Sequence, residues 1–332
     1  MKTLLLNELS SIKTIAFLVF IYALYYLDFL VFHIVIETYT VFIAFALALF
    51  IWNTRQYHSN NFFLILGLAF VYIGIVDFIH TFAYEGMGFK NLSNSNRASQ
   101  LWIFNRYVQS VSFILAILLI KKRVNFYLLT AGYTVIYILG LLSILVFDIF
   151  PDCYIENEGQ TTFKVTSEYI VISIFIGVLY LLKRSSHQFD EYTLKLIKLS
   201  IIFAICQEMM FALYISVFSI VNATGHVFKL FSFYFLYKAS IYLSIQKPFE
   251  VFFREINENR LFMSNIINSL TYPFYVIDAK NYQIVMANKA SGMDLKGGVK
   301  CYEMIYGNSD PCKKDQCPLE IVKQTKKSVL VE

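Results

Sequence analysis

Long apolar runs, separated by short polar segments, fill the chain from about residue 13 to residue 246. Each run is close to the roughly 20 residues that a helix needs to cross a bilayer. All of the prolines lie outside these runs, as helix interiors require. Asp28 is the only break between the first two runs, so a tight turn or a re-entrant segment is an alternative there. The pattern predicts about eight transmembrane helices, at residues 13–29, 31–52, 61–83, 99–120, 124–147, 166–183, 193–219 and 225–246.

The composition agrees with a polytopic membrane protein. Of the 332 residues, 58% are hydrophobic and 15% are charged, whereas soluble domains carry about 25% charged residues. The mean hydropathy of +0.58 argues against a soluble enzyme with a single anchor. No small-residue cleavage site follows the first run, which is therefore expected to be a retained helix rather than a signal peptide. The net charge of +5 does not indicate nucleic-acid binding, because the basic residues lie at the ends of apolar runs.

The basic residues between the runs predict an orientation. Loops rich in Lys and Arg stay in the cytoplasm, so the basic side is expected to be cytoplasmic. An even number of helices then places both termini there, in a multi-pass protein of the cell membrane. The basic side carries Lys2, Lys13, Arg55, Lys121, Lys122, Arg123, Lys183, Arg184, Lys195, Lys198 and Lys247, and the opposite side carries Lys90, Arg97 and Lys164 beside acidic residues.

The sequence changes character after Pro248. A polar, amphipathic stretch is typical of a helix that leaves the membrane. Two strand-like runs, at 273–278 and 283–288, are joined by a hairpin-sized connection. A short helical region and a cysteine-containing loop follow. The predicted parts are a membrane domain at 1–247, a linker helix at 248–269 and a small cytoplasmic domain at 270–332. In the last of these, a second helix is predicted at 318–326 and the start of a further strand at 328–332.

Ionisable side chains interrupt the apolar runs at one common depth. Because such groups cost a few kcal/mol each within a bilayer, they usually face the bundle interior and mark function. Successive helices run in opposite directions, which places these residues in the outer half of the bundle. They predict a polar pocket open to the outer face or a buried ion-pair network. The structural alternative is that they snorkel to the interface or only fix helix register. The candidate residues are His33, Glu37, Asp77, His80, Trp102, Arg106, Glu168, Glu208, His226 and Lys229.

Three of these residues are histidines, the commonest metal ligands. His33, His80 and His226 would suit a zinc site of the catalytic type, with one position left open. Two of them could instead be axial haem ligands. No compact motif such as His-Glu-x-x-His is present, so the cofactor stays open between a metal ion, haem and none. A small polar ligand or a proton-linked switch requires only the charges.

The order of these motifs resembles a known family. Phe32-His33-x-x-x-Glu37, Asp77-x-x-His80-Thr81 and Gly225-His226-x-x-Lys229, together with the motif around Trp102 and Arg106, are similar to the third type of bacterial membrane-associated sensor domain, the MASE family. The resemblance covers about residues 14 to 250. It implies the input module of a sensor histidine kinase or diguanylate cyclase, in a two-component or related signalling system. It does not supply a ligand.

The tail resembles a PAS domain. Residues 273–278 and 284–290 are similar to its opening strands, and Cys301, Cys312 and Cys317 to a cysteine-bearing subgroup. The last PAS strands are absent, so a truncated or partial domain is expected. The three cysteines are expected to be cytoplasmic thiols. They could bind zinc or an iron–sulfur cluster, and the alternative is that they are inert.

Together these features predict a mainly α, polytopic membrane bundle followed by an incomplete α/β PAS-like domain. The expected function is a membrane signal receptor that senses a ligand or cofactor in the outer half and relays it to the PAS domain. The alternative is an intramembrane metal-dependent hydrolase that uses His33, His80 and His226. No catalytic motif is evident before Glu332. The expected partners are the lipid bilayer, a small ligand, a second copy in a homodimer and a downstream transmitter domain or response partner, but not nucleic acid.

Overall fold

Helices make up most of the structure, a computed structural model. It describes residues 11–55, 61–89, 92–292, 298–307, 309–313 and 317–330. The chain divides into two compact units, Met1–Pro248 and Phe249–Glu332. Lys2 and Lys90, which contribute to the predicted charge asymmetry, lie outside the described residues. The first unit contains α1 (Ile12–Leu27), α2 (Phe29–Asn53), α3 (Phe62–Ala83), α4 (Ser95–Leu118), α5 (Phe126–Leu145), α6 (Thr162–Arg184), α7 (Glu191–Leu213) and α8 (Ile220–Ile241).

Capping residues determine where these helices begin. Asp28 is extended (φ −162°, ψ 123°), and its carboxylate accepts hydrogen bonds from the backbone N–H groups of Leu30 and Val31. The break between α1 and α2 is therefore a single N-cap residue. Four predicted starts lay inside the helices, because the first turns of these helices contain polar residues that interrupt the apolar pattern. Side-chain caps at Asn94, Thr161, Asp190 and Ser219 begin α4, α6, α7 and α8.

Six helices, α2 to α7, are long and apolar enough to cross a membrane by length and composition. The predicted polytopic helical bundle is thus supported, whereas the count of eight spans stays a prediction. Helix α1 has only 16 residues. Helix α8 is long enough but carries His226, Lys229 and Ser232 on its buried face. The predicted seventh run was too long, because the chain becomes extended at Tyr214 (φ −71°, ψ 145°).

The helices that carry the candidate residues form the centre of the first unit. Helix α3 packs between α2 and α4, and α8 packs against α7 and α2. In α4, 67% of the residues in an 18-residue apolar window are buried. In α5 the corresponding share is 17%, so α5 lies at the periphery. A short antiparallel hairpin of β1 (Tyr154–Ile155) and β2 (Gly159–Gln160) lies between α5 and α6.

The second unit is small and mixed. It contains most of α9 (Lys247–Ser269), an antiparallel pair of β3 (Tyr275–Ile277) and β4 (Ile284–Ala287), α10 (Cys301–Tyr306) and α11 (Pro318–Thr325). The predicted hairpin and second helix are confirmed. The predicted last strand is wrong at residues 328–330, which are in no strand, and Val331 and Glu332 lie outside the described residues. The PAS assignment and the orientation of the bundle stay predictions.

Candidate functional site

Four buried charged side chains, each from a different helix, meet in the first unit. They are Glu37 of α2, Asp77 of α3, Arg106 of α4 and Lys229 of α8, and none is more than 1% exposed. Lys229 Nζ lies 2.6 Å from Glu37 Oε2 and 2.9 Å from Asp77 Oδ2. Arg106 Nη2 donates to Asp77 Oδ1 at 2.8 Å and to Asp77 Oδ2 at 3.1 Å. This ion network contains two cations and two carboxylates, so its charges balance.

Neutral amides and hydroxyls hold Asp77 and Arg106 in place. Asn105 Nδ2 donates to Asp77 Oδ1 at 2.7 Å, and Tyr137 OH donates to Asn105 Oδ1 at 2.9 Å. Arg106 also donates to Gln109 Oε1. Because Asp77 accepts from two cations and one amide, removing one partner leaves a buried carboxylate incompletely compensated.

Trp102 forms one wall of the ion network. The Arg106 guanidinium lies 4.5 Å from its ring centroid and the Lys229 ammonium 5.0 Å. Cations over an aromatic face are attracted by its quadrupole, more strongly when water is excluded. Trp102 and Arg106 are four residues apart on α4, so a single helix face supplies both groups.

A histidine cluster adjoins the ion network at Glu37. His226 Nδ1 lies 2.7 Å from Glu37 Oε1, and the His33 ring centroid lies 4.8 Å from that of His226 and 5.6 Å from that of His80. His80 Nδ1 lies 2.8 Å from the Ala98 carbonyl oxygen. Since a carbonyl only accepts, Nδ1 of His80 carries a proton and donates it to this bond. Within the described part of the chain, neither ring nitrogen of His33 has a hydrogen-bond partner, and Nε2 of His80 has none either.

A second group of charges lies on α6 and α7. Lys164 Nζ lies 2.9 Å from Glu168 Oε1, donates to the Phe211 carbonyl oxygen, and lies 4.5 Å from the Tyr214 ring centroid. Glu208 accepts from Gln207 Nε2 at 2.8 Å and interacts electrostatically with Glu168 and Lys164. Two carboxyl groups thus face one ammonium group.

A small cavity separates the histidine cluster from this second group. Its lining includes His80 and His226 of the histidine cluster, Lys164 of the second group, and Trp102. The cavity volume is about 20 Å³, which accommodates about one water molecule. A haem would not fit between these side chains unless the helices separated.

Comparison with known proteins assigns the first unit to a family. A model of a membrane-associated sensor domain, MASE3, matches residues 24–248. The chain belongs to the MASE3 family. No curated protein and no solved structure matches it.

The MASE3 domain brings most of the predicted residues into contact. His226 and Lys229 are three residues apart on α8, as predicted, and both contact Glu37 of α2, which is distant in the sequence. The predicted three-histidine metal set is only partly assembled. Ligand atoms of His33, Glu37 and His226 all lie within 4.8 Å of one another, whereas His80 hydrogen-bonds to Ala98 and is not part of this set. Glu168 and Glu208 belong to the second group, beyond the cavity.

Several polar residues of the MASE3 domain were not among the predicted site residues. Lys164 was counted only among the basic residues of the outer side, and the structure shows that it is 1% exposed and lines the cavity. Asn105 and Gln109 are uncharged, so they do not belong to the pattern of ionisable residues from which the site was predicted. The sequence did carry a sign that these two residues face the bundle interior. They are four residues apart, and they lie on α4, which has the lowest hydropathy of the six candidate spanning helices.

The three cysteines of the second unit interact electrostatically. Burial raises the pKa of the Cys301 thiol, and the neighbouring Cys317 and Cys312 raise it further. Among the described residues these thiols do not form a group of three ligand atoms within 4.8 Å of one another. Metal binding by Cys301, Cys312 and Cys317 stays a prediction.

Proposed function

We propose that the chain is the sensory input module of a signal-transduction protein, in which a stimulus acts on the ion network and the adjacent cavity. The observation that carries this proposal is the arrangement of Glu37, Asp77, Arg106 and Lys229. Each lies on a different helix, and each is fully desolvated. A ligand that competes for one of these charges changes the contacts between helices, because a buried charge is costly unless another charge compensates it.

Helix α8 is the proposed route of output. It carries His226 and Lys229, and it is followed directly in the chain by the π-helical segment Tyr242–Gln246 and by α9. A π-helical segment is a local departure from α-helical hydrogen bonding that is frequent at functional sites. A change in the contacts of Lys229 would be transmitted along α8 to the second unit, which we interpret as part of a PAS domain in a histidine kinase or diguanylate cyclase.

Hydrogen exchange of the full chain in lipid nanodiscs tests this function. Asp77→Asn removes one charge from the ion network, and the protection of backbone amides is compared with the wild type. We expect changed protection in Tyr242–Gln246 and α9. Lys195→Met removes the partly exposed ion pair with Glu191 and serves as the matched control, with no change expected in α9. If Asp77→Asn folds and leaves exchange in α9 unchanged, the proposed relay is wrong.

A further inference from the structure

His33 is an anomaly within the MASE3 domain. Its side chain is 0% exposed, yet neither ring nitrogen has a hydrogen-bond partner among the described residues. A neutral imidazole has one N–H donor and one lone pair, and buried polar groups nearly always find partners. The ring is held by aromatic neighbours instead, with Tyr84 3.9 Å and Phe29 6.2 Å away between ring centroids. A buried, unpartnered imidazole therefore calls for an explanation.

The groups around His33 supply one. Glu37 lies one helical turn further along α2, so its side chain and that of His33 share a face. Helix α8 brings His226 to the same place, and the ligand atoms of all three residues lie within 4.8 Å of one another. With ligands about 2.1 Å from the ion, the ligand atoms of a tetrahedral site lie about 3.4 Å apart. The widest of these separations must therefore shorten by about 1.4 Å to form such a site.

Two imidazoles and one carboxylate also define the class of ion. This set is typical of Zn²⁺ and other divalent first-row transition metals, whereas Mg²⁺ and Ca²⁺ prefer oxygen ligands only. We propose that His33, Glu37 and His226 bind a divalent first-row transition-metal ion. The inference rests on the proposed sensory function, because it names the chemical class of the stimulus.

Binding of the ion would be coupled to helix contacts. Glu37 now accepts from Lys229 at 2.6 Å, while Lys229 also lies 2.9 Å from Asp77. An ion that takes Glu37 competes with Lys229 for this carboxylate and leaves Asp77 as the remaining partner of Lys229. The contact between α2 and α8 is thereby exchanged for a metal-bridged one, which is the kind of differential interaction that a conformational switch requires.

Metal titration of the purified full chain tests the site. The detergent-solubilised protein is stripped with chelator and titrated with Co²⁺, whose visible absorption reports its coordination, and Zn²⁺ is then added as competitor. We expect one equivalent of Co²⁺, displaced by Zn²⁺. His33→Ala should weaken Co²⁺ binding by more than about 100-fold, since even the loss of an outer-shell partner costs 10- to 100-fold. The matched control His187→Ala changes an exposed histidine outside the site and should bind as the wild type does.

A second variant separates loss of the site from loss of the fold. His33→Cys keeps a metal-binding atom, so it should retain Co²⁺ and add a sulfur-to-cobalt charge-transfer band. Folded wild type that takes up no stoichiometric Co²⁺ or Zn²⁺ overturns the metal site, as does binding that is unchanged by His33→Ala. Either result leaves the sensory function standing if Asp77→Asn still alters exchange in α9. Unchanged exchange in that variant contradicts the sensory function whatever the metal content.

Discussion

Replacing Lys229 by Met removes the charge that joins two carboxylates of the ion network. The Lys229 ammonium lies 2.6 Å from Glu37 and 2.9 Å from Asp77, and all three residues are at most 1% exposed. Met preserves most of the apolar stem, so the packing volume changes little. The variant leaves two buried carboxylates with Arg106 as the one cation of the ion network. Removing one partner of a buried ion pair costs about 3–5 kcal/mol, and we expect a loss of stability in this range.

A double-mutant cycle tests whether the charge is the cause. Glu37→Gln in addition to Lys229→Met restores the balance, with Arg106 opposite Asp77. The amide introduced by Glu37→Gln would also keep an oxygen near His226. Residues that share an ion network show interaction energies of about 0.5–3 kcal/mol, so the double variant should be more stable than the sum of the single losses predicts. The expected order of stability is wild type, then the double variant, then Lys229→Met.

The assay is equilibrium unfolding of the detergent-solubilised chain by increasing mole fraction of sodium dodecyl sulfate. Helix content reports unfolding, and Trp102 fluorescence, measured in a Trp52→Phe background that removes the second tryptophan, reports the site itself. Lys195→Met is the matched control, because the Lys195–Glu191 pair has the same 2.6 Å distance but side chains that are 37% and 83% exposed. Water screens that pair, so no change is expected. A Lys229→Met variant as stable as the wild type, or a double variant less stable than Lys229→Met, would refute the charge argument.

Two further predictions concern packing and ionisation. A Cβ at Gly225 would lie 2.7 Å from the Phe211 ring, which packs on Trp102 and His226, so Gly225→Ala should destabilise by about 1–3 kcal/mol in the same unfolding assay. Gly177→Ala, which meets open space in α6, should instead stabilise by up to about 1 kcal/mol, and equal effects would contradict this account. Burial raises the pKa of the Cys153 thiol to about 12, so alkylation at pH 8.5 should be about 1,000-fold slower than for a free thiol of pKa about 8.5. The pKa of the Cys153 thiol is higher in the folded state than in the unfolded state, so the folded state favours the protonated thiol. The free energy of unfolding should therefore fall by about 1.4 kcal/mol per pH unit as the pH rises from about 8.5 to 12, with no such loss below about pH 8.5. Cys153→Ala should abolish this pH dependence.

The helices could be predicted from the sequence because apolar runs and polar interruptions determine them directly. Helix starts were less predictable. Polar residues lie in the first turns of α4 and α8, and the helix limits depend on capping by Asn94 and Ser219, which a hydropathy pattern does not detect. Alternating helix direction also predicted that Asp77, Arg106 and Lys229 lie at one depth, and the structure brings them into contact.

The pairing within the site could not be predicted, because it depends on which helices are neighbours. Glu37 and Lys229 are separated by 192 positions, and nothing in either segment specifies the other. Lys164 illustrates the same limit. Its position near a helix end suggested a residue that reaches solvent, but Tyr214 and Phe211 cover it and Glu168 compensates it. Burial of a long basic side chain is a property of the assembled bundle.

The balance of charge in the ion network restricts how a stimulus can act. Two carboxylates and two cations already compensate one another. A neutral molecule in the cavity carries no charge that could replace one of these ions as the partner of another. A cation that binds Glu37 must compete with Lys229, and an anion that binds Lys229 must compete with Glu37 and Asp77. Either event exchanges a contact between helices for a contact with the ligand. A charged stimulus of the proposed kind would therefore couple binding to helix packing through electrostatics.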